Sequence, residues 1–479
     1  MSARMRRGRR LGLCLLVGCC WTGQAAWPAE GMLRVTRGLA PASIATAKGP
    51  ITAASVASAD GSRSVAPVVA DAAAPAPPRT GRGLALRDAV QQGLERNPAV
   101  RSAMARLGRS GTEVEIARAG YHPNVQAGVG TAGSNSMRLG YDVLVTQMLY
   151  DWGAVESQID SARATERHAA HELLVAREDA ALQVSESYFD ALFARRRAAV
   201  VDGYMERLQA LLELSQRRVS TGYVDRSEAG RVTLALARAE EQRQLEQGKL
   251  QEALQQYALL VGSQAQDLEE PPLMVLDQML GQGRHLSGLI TRAPLYLQAV
   301  EKSRIEEANI QAADAALKPQ LNLEGSVQRR EIGGQLTRDS TLMLRLRMAA
   351  FQGLSNFRRV DAARQALEAA QWDRDQVERD IRGKVQTLLE GEAPLAARDT
   401  ALRAQIEGAD EIGGIYREQF LVGMRSMVDL LSVESDRFEA ERQWLQLQSE
   451  RQRLPLRAMA QLGLLVPLLE DRIAEKMLP

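Results

Sequence analysis

Beyond residue 83 the chain is written twice, and that duplication constrains its fold more than any other feature. LERNPAV at 94–100 returns as ITRAPLY at 290–296, and AGYHPNVQAGVG at 119–130 returns as ALKPQLNLEGSV at 316–327. Pro98 falls on Pro294 and Pro123 on Pro319, both at an offset of 196. LYDWG at 149–153 matches AAFQG at 349–353, and IDSAR at 159–163 matches VDAAR at 360–364. RVSTGYV at 218–224 matches FLVGMRS at 420–426, with Gly222 over Gly423 at an offset of 201. Ala-rich helices resemble one another by composition alone, but they do not keep prolines and glycines in step over so small a drift. Each half must therefore build the same series of elements.

The series reads the same way in both halves. A helix ends just before a proline, Pro123 or Pro319, and two alternating runs follow. QLNLEGSV at 320–327 puts Leu321, Leu323 and Val327 on one face and Gln320, Asn322, Glu324 and Ser326 on the other. In LMLRLRMA at 342–349, Arg345 and Arg347 oppose Leu342, Leu344, Leu346 and Met348. Period two predicts strands. The first copy, NVQAGVGTAG and YDVLVTQMLY, is weaker and richer in glycine. A proline-free stretch from 154 to 220 then carries a helical stripe through Val155, Ile159, Ala162, Ala169, Leu173, Ala180, Val184, Tyr188 and Ala191. A helix that long spans roughly 100 Å. Its copy covers 354 to 420, with a kink expected at Pro394. Both long helices turn at a glycine, and a second helix returns from each turn.

These parts do not make a soluble monomer. Long hairpins cannot bury their stripes alone, and four strands are too few for a membrane barrel, which takes about eight or more. Several subunits sharing one closed barrel resolve both problems, with apolar residues toward lipid and polar ones toward water.

Composition narrows the function. Lys and Arg total 60 against 59 for Asp and Glu, so no charge surplus points to nucleic acid. All three cysteines, Cys14, Cys19 and Cys20, lie in the leader, and there are only four histidines. With no nucleophile elbow and no phosphate-binding loop, the sequence reads as no enzyme, with no cofactor and no metal site. His168 and His171 share a helical face without a third ligand nearby and read as solvated surface. Residues 1–26 read as a signal peptide, five arginines followed by a short apolar run. Cleavage after the small residues Gly23 and Ala25 and lipidation at Cys19 in LVGC both fit. Residues 27–82 read as a disordered Ala/Pro-rich extension, 83–285 and 286–468 as the two repeats, and 469–479 as a tail.

The combination resembles the TolC family of outer-membrane channels: NPAV after a helix, a proline at each strand start, LYDWG at the strand-to-helix junction, the duplication and the two glycine turns. The resemblance covers Leu84 to about Leu468. It implies a mainly α fold with a membrane β-barrel, each tandem-duplicated subunit of a homotrimer giving four strands to a twelve-stranded barrel. The helices would form a long periplasmic barrel closed at its far end by the hairpin tips. The second tip matches the family pattern as Gly423-Met424-Arg425-Ser426-Met427-Val428-Asp429-Leu430-Leu431. By resemblance Arg425 ties neighbouring coils together and Asp429 belongs to an acidic ring at the pore. Both residues also suit plain helix capping. Glu228, after the turn glycine Gly222, stands where the family carries an aspartate that pairs with the arginine. Phe420 replaces a tyrosine and Ser432 an acid, which implies a less acidic and more easily opened gate. Trp152 suits either the membrane interface or the barrel-to-tube junction. The implied role is the exit duct of a type I secretion system, with an ABC transporter, a periplasmic adaptor, an exported protein and outer-membrane lipid as partners. The alternative is the duct of a small-molecule efflux pump.

Overall fold

The computed structural model describes residues 85–133, 136–220, 226–265, 267–281, 285–332, 335–348 and 355–470. The leader at 1–26, the extension at 27–82, Gly222 and nearly all of the 469–479 tail lie outside the described residues.

The first repeat opens with α1 (Leu86–Arg96) and α2 (Pro98–Arg118). Asn97 between them explains the NPAV motif. Its side chain accepts from the N–H groups of Ala99 at 2.8 Å and Val100 at 3.3 Å, capping α2. Pro98 takes the first helical position, where a missing N–H is no loss. The second repeat replaces α1 with two short helices, α5 (Leu276–Met279) and α6 (Leu286–Ile290), before α7 (Pro294–Ala315), the counterpart of α2.

The alternating runs are strands: β1 (Asn124–Gly133), β2 (Ser136–Tyr150), β3 (Gln320–Ile332) and β4 (Gln335–Arg347). They form one antiparallel sheet in the order β1-β2-β3-β4. The β2–β3 ladder joins the two repeats, so the sheet mixes halves that the sequence keeps apart. Its register lines up Val125 with Val145, Val143 with Val327, Leu323 with Leu344 and Leu321 with Leu346 on one face. Leu342, Leu344 and Leu346 on that face are two-thirds or more exposed. The opposite face is polar. Glu324, 4% exposed, accepts from Arg345 and Arg347, both at 3.0 Å. An apolar outside and an ion-paired inside are the pattern of a barrel wall facing lipid and water. Within one chain β1 and β4 are open edges, which closed barrels eliminate.

The long helices repeat to the residue: α3 (Ala154–Ser220) and α8 (Ser355–Leu421) have 67 residues each, and the returning α4 (Arg226–Val261) and α9 (Met427–Leu462) have 36 each. At 1.5 Å per residue α3 and α8 each span about 100 Å. Helix α8 continues through Pro394, and α9 through Pro455, so neither proline ends its helix. The lost hydrogen bond is tolerated because neighbours are packed: Leu395 and Leu454 both abut the main core. Beyond α9, Gly463 adopts φ +72° and leads into the short α10 (Leu465–Leu469). A Cβ there would sit 2.1 Å from Pro294 Cδ, so α7 can approach only a glycine.

Two cores stabilise the helices. The larger, around Tyr188, Phe189, Phe193, Tyr257, Ile381 and Leu456, lies where α1, α3, α4, α8, α9 and α10 converge. The smaller lies toward the turn at 422–426 and includes Leu208, Val232, Phe420, Met427 and Leu430, with Tyr204 stacked on Phe438 at 4.2 Å. Among the described residues no helix is long and apolar enough to cross a membrane.

Candidate functional site at the hairpin tip

The turn between α8 and α9 is built by its glycine. Gly423 has φ +81°, which lets its N–H reach the Phe420 carbonyl at 3.0 Å and the Met424 N–H reach Gln419 at 2.8 Å. This pairing satisfies the last carbonyls of α8. Ser426 then starts α9. Its hydroxyl accepts the Asp429 N–H at 3.4 Å, while Asp429 Oδ2 accepts from the Ser426 N–H at 3.1 Å and hydroxyl at 2.9 Å. That is a reciprocal capping box. The Ser426 backbone and hydroxyl hold the Asp429 carboxyl below its usual range, and the Arg425 charge adds a smaller push.

Arg425 is exposed, and its partners lie on the preceding helix. Its Nε donates to Gln419 Oε1 at 3.0 Å, and its guanidinium lies 4.2 Å from the centre of the Tyr416 ring. Among the described residues it makes no ion pair with Glu228 inside the subunit. Glu228, in the first turn of α4, has one buried carboxylate oxygen, Oε2, without a hydrogen-bond partner. The structure thus brings Arg425 and Asp429 together at one turn and leaves Glu228 apart from them. Gly222 lies outside the described residues.

Phe420 is a core residue with no exposed surface, so it marks the inside of the tip. The Arg218 guanidinium stacks 4.3 Å from its ring, and Arg218 Nη1 donates to the Phe420 carbonyl at 3.2 Å. This ties the end of α3 to the end of α8. Farther along the hairpin, Glu434 is 3% exposed and accepts from Arg207 at 2.8 Å and Arg417 at 3.3 Å. Arg207 also reaches Glu441 at 3.1 Å. The sequence reading missed this cluster. A signal was present, because Glu434 falls in the buried stripe Met427, Leu430, Glu434, Phe438 at helical spacing. The tip surface itself is apolar: Leu421, Val422 and Met424 are 61%, 72% and 78% exposed.

The histidine expectation changes, and Trp152 takes one of its two expected places. His168 and His171 are half-buried rather than solvated, because α7 packs along α3. Burial lowers both imidazoles below the usual histidine range, against the opposing charges of Glu172 at His168 and Glu301 at His171. Trp152 donates its indole N–H to the Pro319 carbonyl at 2.9 Å and packs edge-on to Tyr150. It therefore joins the first strand-to-helix junction to the start of β3.

The family model described as outer membrane efflux protein matches residues 89–263 and 289–463, one span in each repeat. Protein CyaE of Bordetella pertussis is 26% identical over 321 residues, which cover 61% of this chain and 66% of that protein. A membrane protein from Pseudomonas aeruginosa superposes with a TM-score of 0.69 at 21% identity, covering 79% of this chain and 90% of that one. The outer membrane protein VceC from Vibrio cholerae gives 0.68 at 16% identity, covering 79% and 96%.

Proposed function

The chain belongs to the outer membrane efflux protein family, and from that premise we propose that it is the outer-membrane exit duct of a tripartite type I protein secretion system. Its place is the outer membrane, with the helical tube in the periplasm. Three copies with four strands each close one twelve-stranded barrel, and the open edges of β1 and β4 are the surfaces such closure joins. An adaptor and an ABC transporter deliver an unfolded protein to the periplasmic end.

The observation that carries this reading is the second tip. Gly423, Arg425, Ser426 and Asp429 keep the pattern that resembles the TolC and type I secretion branch, and the turn gives each a separate job. Gly423 ends α8, the Ser426–Asp429 box fixes the start of α9, and Arg425 is left exposed on a neutral amide and a ring. A cation that is exposed and has no ion-pair partner among the described residues suits a contact with an adjacent copy. Glu228, at the place where the family carries the aspartate that pairs with this arginine, is the acid we assign to that contact. Asp429, repeated in three copies, supplies the acidic ring, because like charges around a narrow opening concentrate cations.

Deletion of the gene tests the assignment. The expected result is loss of one or a few large proteins from the culture medium, with susceptibility to drugs and metals unchanged. Raised susceptibility with an unchanged set of secreted proteins would give the duct to a small-molecule pump instead.

A further inference from the structure

Near its far end the lipid-facing side of the sheet carries a row of residues that an uncharged membrane surface does not explain. Across the four strands the register aligns Val129 with Tyr141, Tyr141 with Arg329, and Arg329 with Arg338. Arg329 and Arg338 face each other directly on neighbouring strands, and both are exposed. Directly opposed side chains on antiparallel strands are about 5 Å apart at Cβ, where like charges destabilise the pair. Among the described residues neither arginine forms an ion pair, and the acid that follows on the same face, Glu331, leaves this end of the face with one surplus positive charge. The nearest acid of the sheet with a described contact, Asp339, accepts from Gln328 at 3.3 Å. Both belong to the alternate face, the one that carries Glu324.

The position of this row gives the pair a purpose. The apolar outer face runs from Leu321 and Leu346 near the helices, through Leu323 and Leu344, to Val327. Arg329 comes next on the same face, three residues before β3 ends at Ile332. From Leu321 to Arg329 is eight steps, about 27 Å along a strand and roughly 20 Å of membrane depth at the usual barrel tilt. That depth covers most of the roughly 25 Å apolar band of an outer-membrane barrel, so the two arginines sit toward its far edge, away from the periplasmic helices, where their long side chains reach the headgroups. Tyr150 and Trp152 lie at the near end, by the strand-to-helix junction. Tyr141, next to Arg329, is the interfacial aromatic of the far edge.

We propose that Arg329 and Arg338, with Tyr141 beside them, form a binding site for the phosphomonoester headgroup of an outer-leaflet glycolipid. A guanidinium pair fits two phosphate oxygens through bidentate hydrogen bonds. A dianionic headgroup turns the repulsion between the two arginines into joint recognition. The acyl chains of the same lipid cover Val327, Leu342 and Leu344 below the row. Trimeric closure repeats the site three times around the barrel. The inference rests on the outer-membrane location and is independent of what the duct exports.

Native mass spectrometry of the detergent-extracted full chain tests it, with diphosphoryl lipid A, its enzymatically dephosphorylated form and phosphatidylethanolamine as probes. The wild type should retain the diphosphoryl lipid at up to three copies per trimer and release the other two. The Arg329→Gln/Arg338→Gln double variant should retain roughly thirtyfold less, as expected for two cations removed from a lipid surface. The Arg329→Lys/Arg338→Lys variant should keep an intermediate amount. Equal retention of the phosphorylated and dephosphorylated lipids by the wild type would overturn the proposal, and that comparison needs no variant to assemble. Unchanged retention by an assembled glutamine variant would overturn it as well. Full displacement of the lipid by millimolar inorganic phosphate would reduce the site to a free-anion site and refute the lipid assignment.

Discussion

Replacing Glu178 should abolish part of the pH dependence of the assembled protein's stability. Glu178 lies on α3 with 5% of its surface exposed. Its carboxylate accepts the N–H of Leu465 at 3.0 Å and of Val466 at 3.2 Å, which anchors the first turn of α10. Beside it, Arg177 pairs with Glu470 at 2.9 Å, a second tie to the same C-terminal segment. Burial pushes the Glu178 carboxyl up to about 7, and the two backbone donors pull it only part of the way back. The folded chain therefore holds this proton more tightly than the unfolded chain, whose group titrates near 4.5. The stability conferred by the protonated group is complete below the unfolded value and is lost as pH rises through the folded one. At about 1.4 kcal/mol for each tenfold change in proton affinity, the loss between pH 4.5 and 7 is roughly 3 kcal/mol per subunit. Asp179 is also raised by burial, and His168 and His171 are lowered, so the raw pH profile mixes several groups. The difference between wild type and Glu178→Gln isolates the one of interest. Thermal unfolding of the purified assembly, measured from pH 4.5 to 8, should show wild type losing stability relative to Glu178→Gln as pH rises. Parallel profiles across that range would refute the argument. A gap that widens toward acid would mean that the backbone donors outweigh burial.

Further outcomes follow from the tip and the hairpin. Glu434→Ala leaves Arg207 and Arg417 without their shared anion at a buried position. It should cost about 2–3 kcal/mol in thermal unfolding, below the full cost of breaking a buried pair because Arg417 is half-exposed. Gly423→Val forces a β-branched residue to φ +81° and should destabilise by about 1–2 kcal/mol or shift the turn, seen as faster proteolysis at residues 422–426. Arg425→Ser should raise single-channel conductance in planar bilayers with little change in unfolding temperature, since its contacts with Gln419 and Tyr416 lie at the exposed rim of the tip. Asp429→Ala should reduce cation selectivity in the same bilayers, and loss of its capping box should also fray the start of α9 by about 1 kcal/mol. Unchanged conductance and selectivity in this last pair would leave both residues as structural parts of the turn.

The sequence alone determined the periodic elements. Alternation over 320–327 and 342–349 marked two strands and their apolar faces, and the matched prolines and Gly423 set helix ends. The proline-free stretch from 154 to 220 fixed the length of α3, because backbone geometry turns residue count directly into distance. What tertiary structure decided were contacts between segments far apart in the chain. The pairing of β2 with β3 joins the two repeats through a register that no local pattern encodes. Arg218 on Phe420 and Arg207 on Glu434 connect residues more than two hundred positions apart. The histidine pair became half-buried only because α7 lies over α3. At the tip, the sequence supplied Gly423 and the spacing of Ser426 to Asp429, so the turn and its cap were legible. It could not show that Arg425 folds back onto Gln419 and Tyr416, because a long flexible cation takes the partner that packing leaves within reach. Local periodicity is written in neighbouring residues. The partner of a charge is set by which helices the cores bring together, and the chain acquires that information only when it folds.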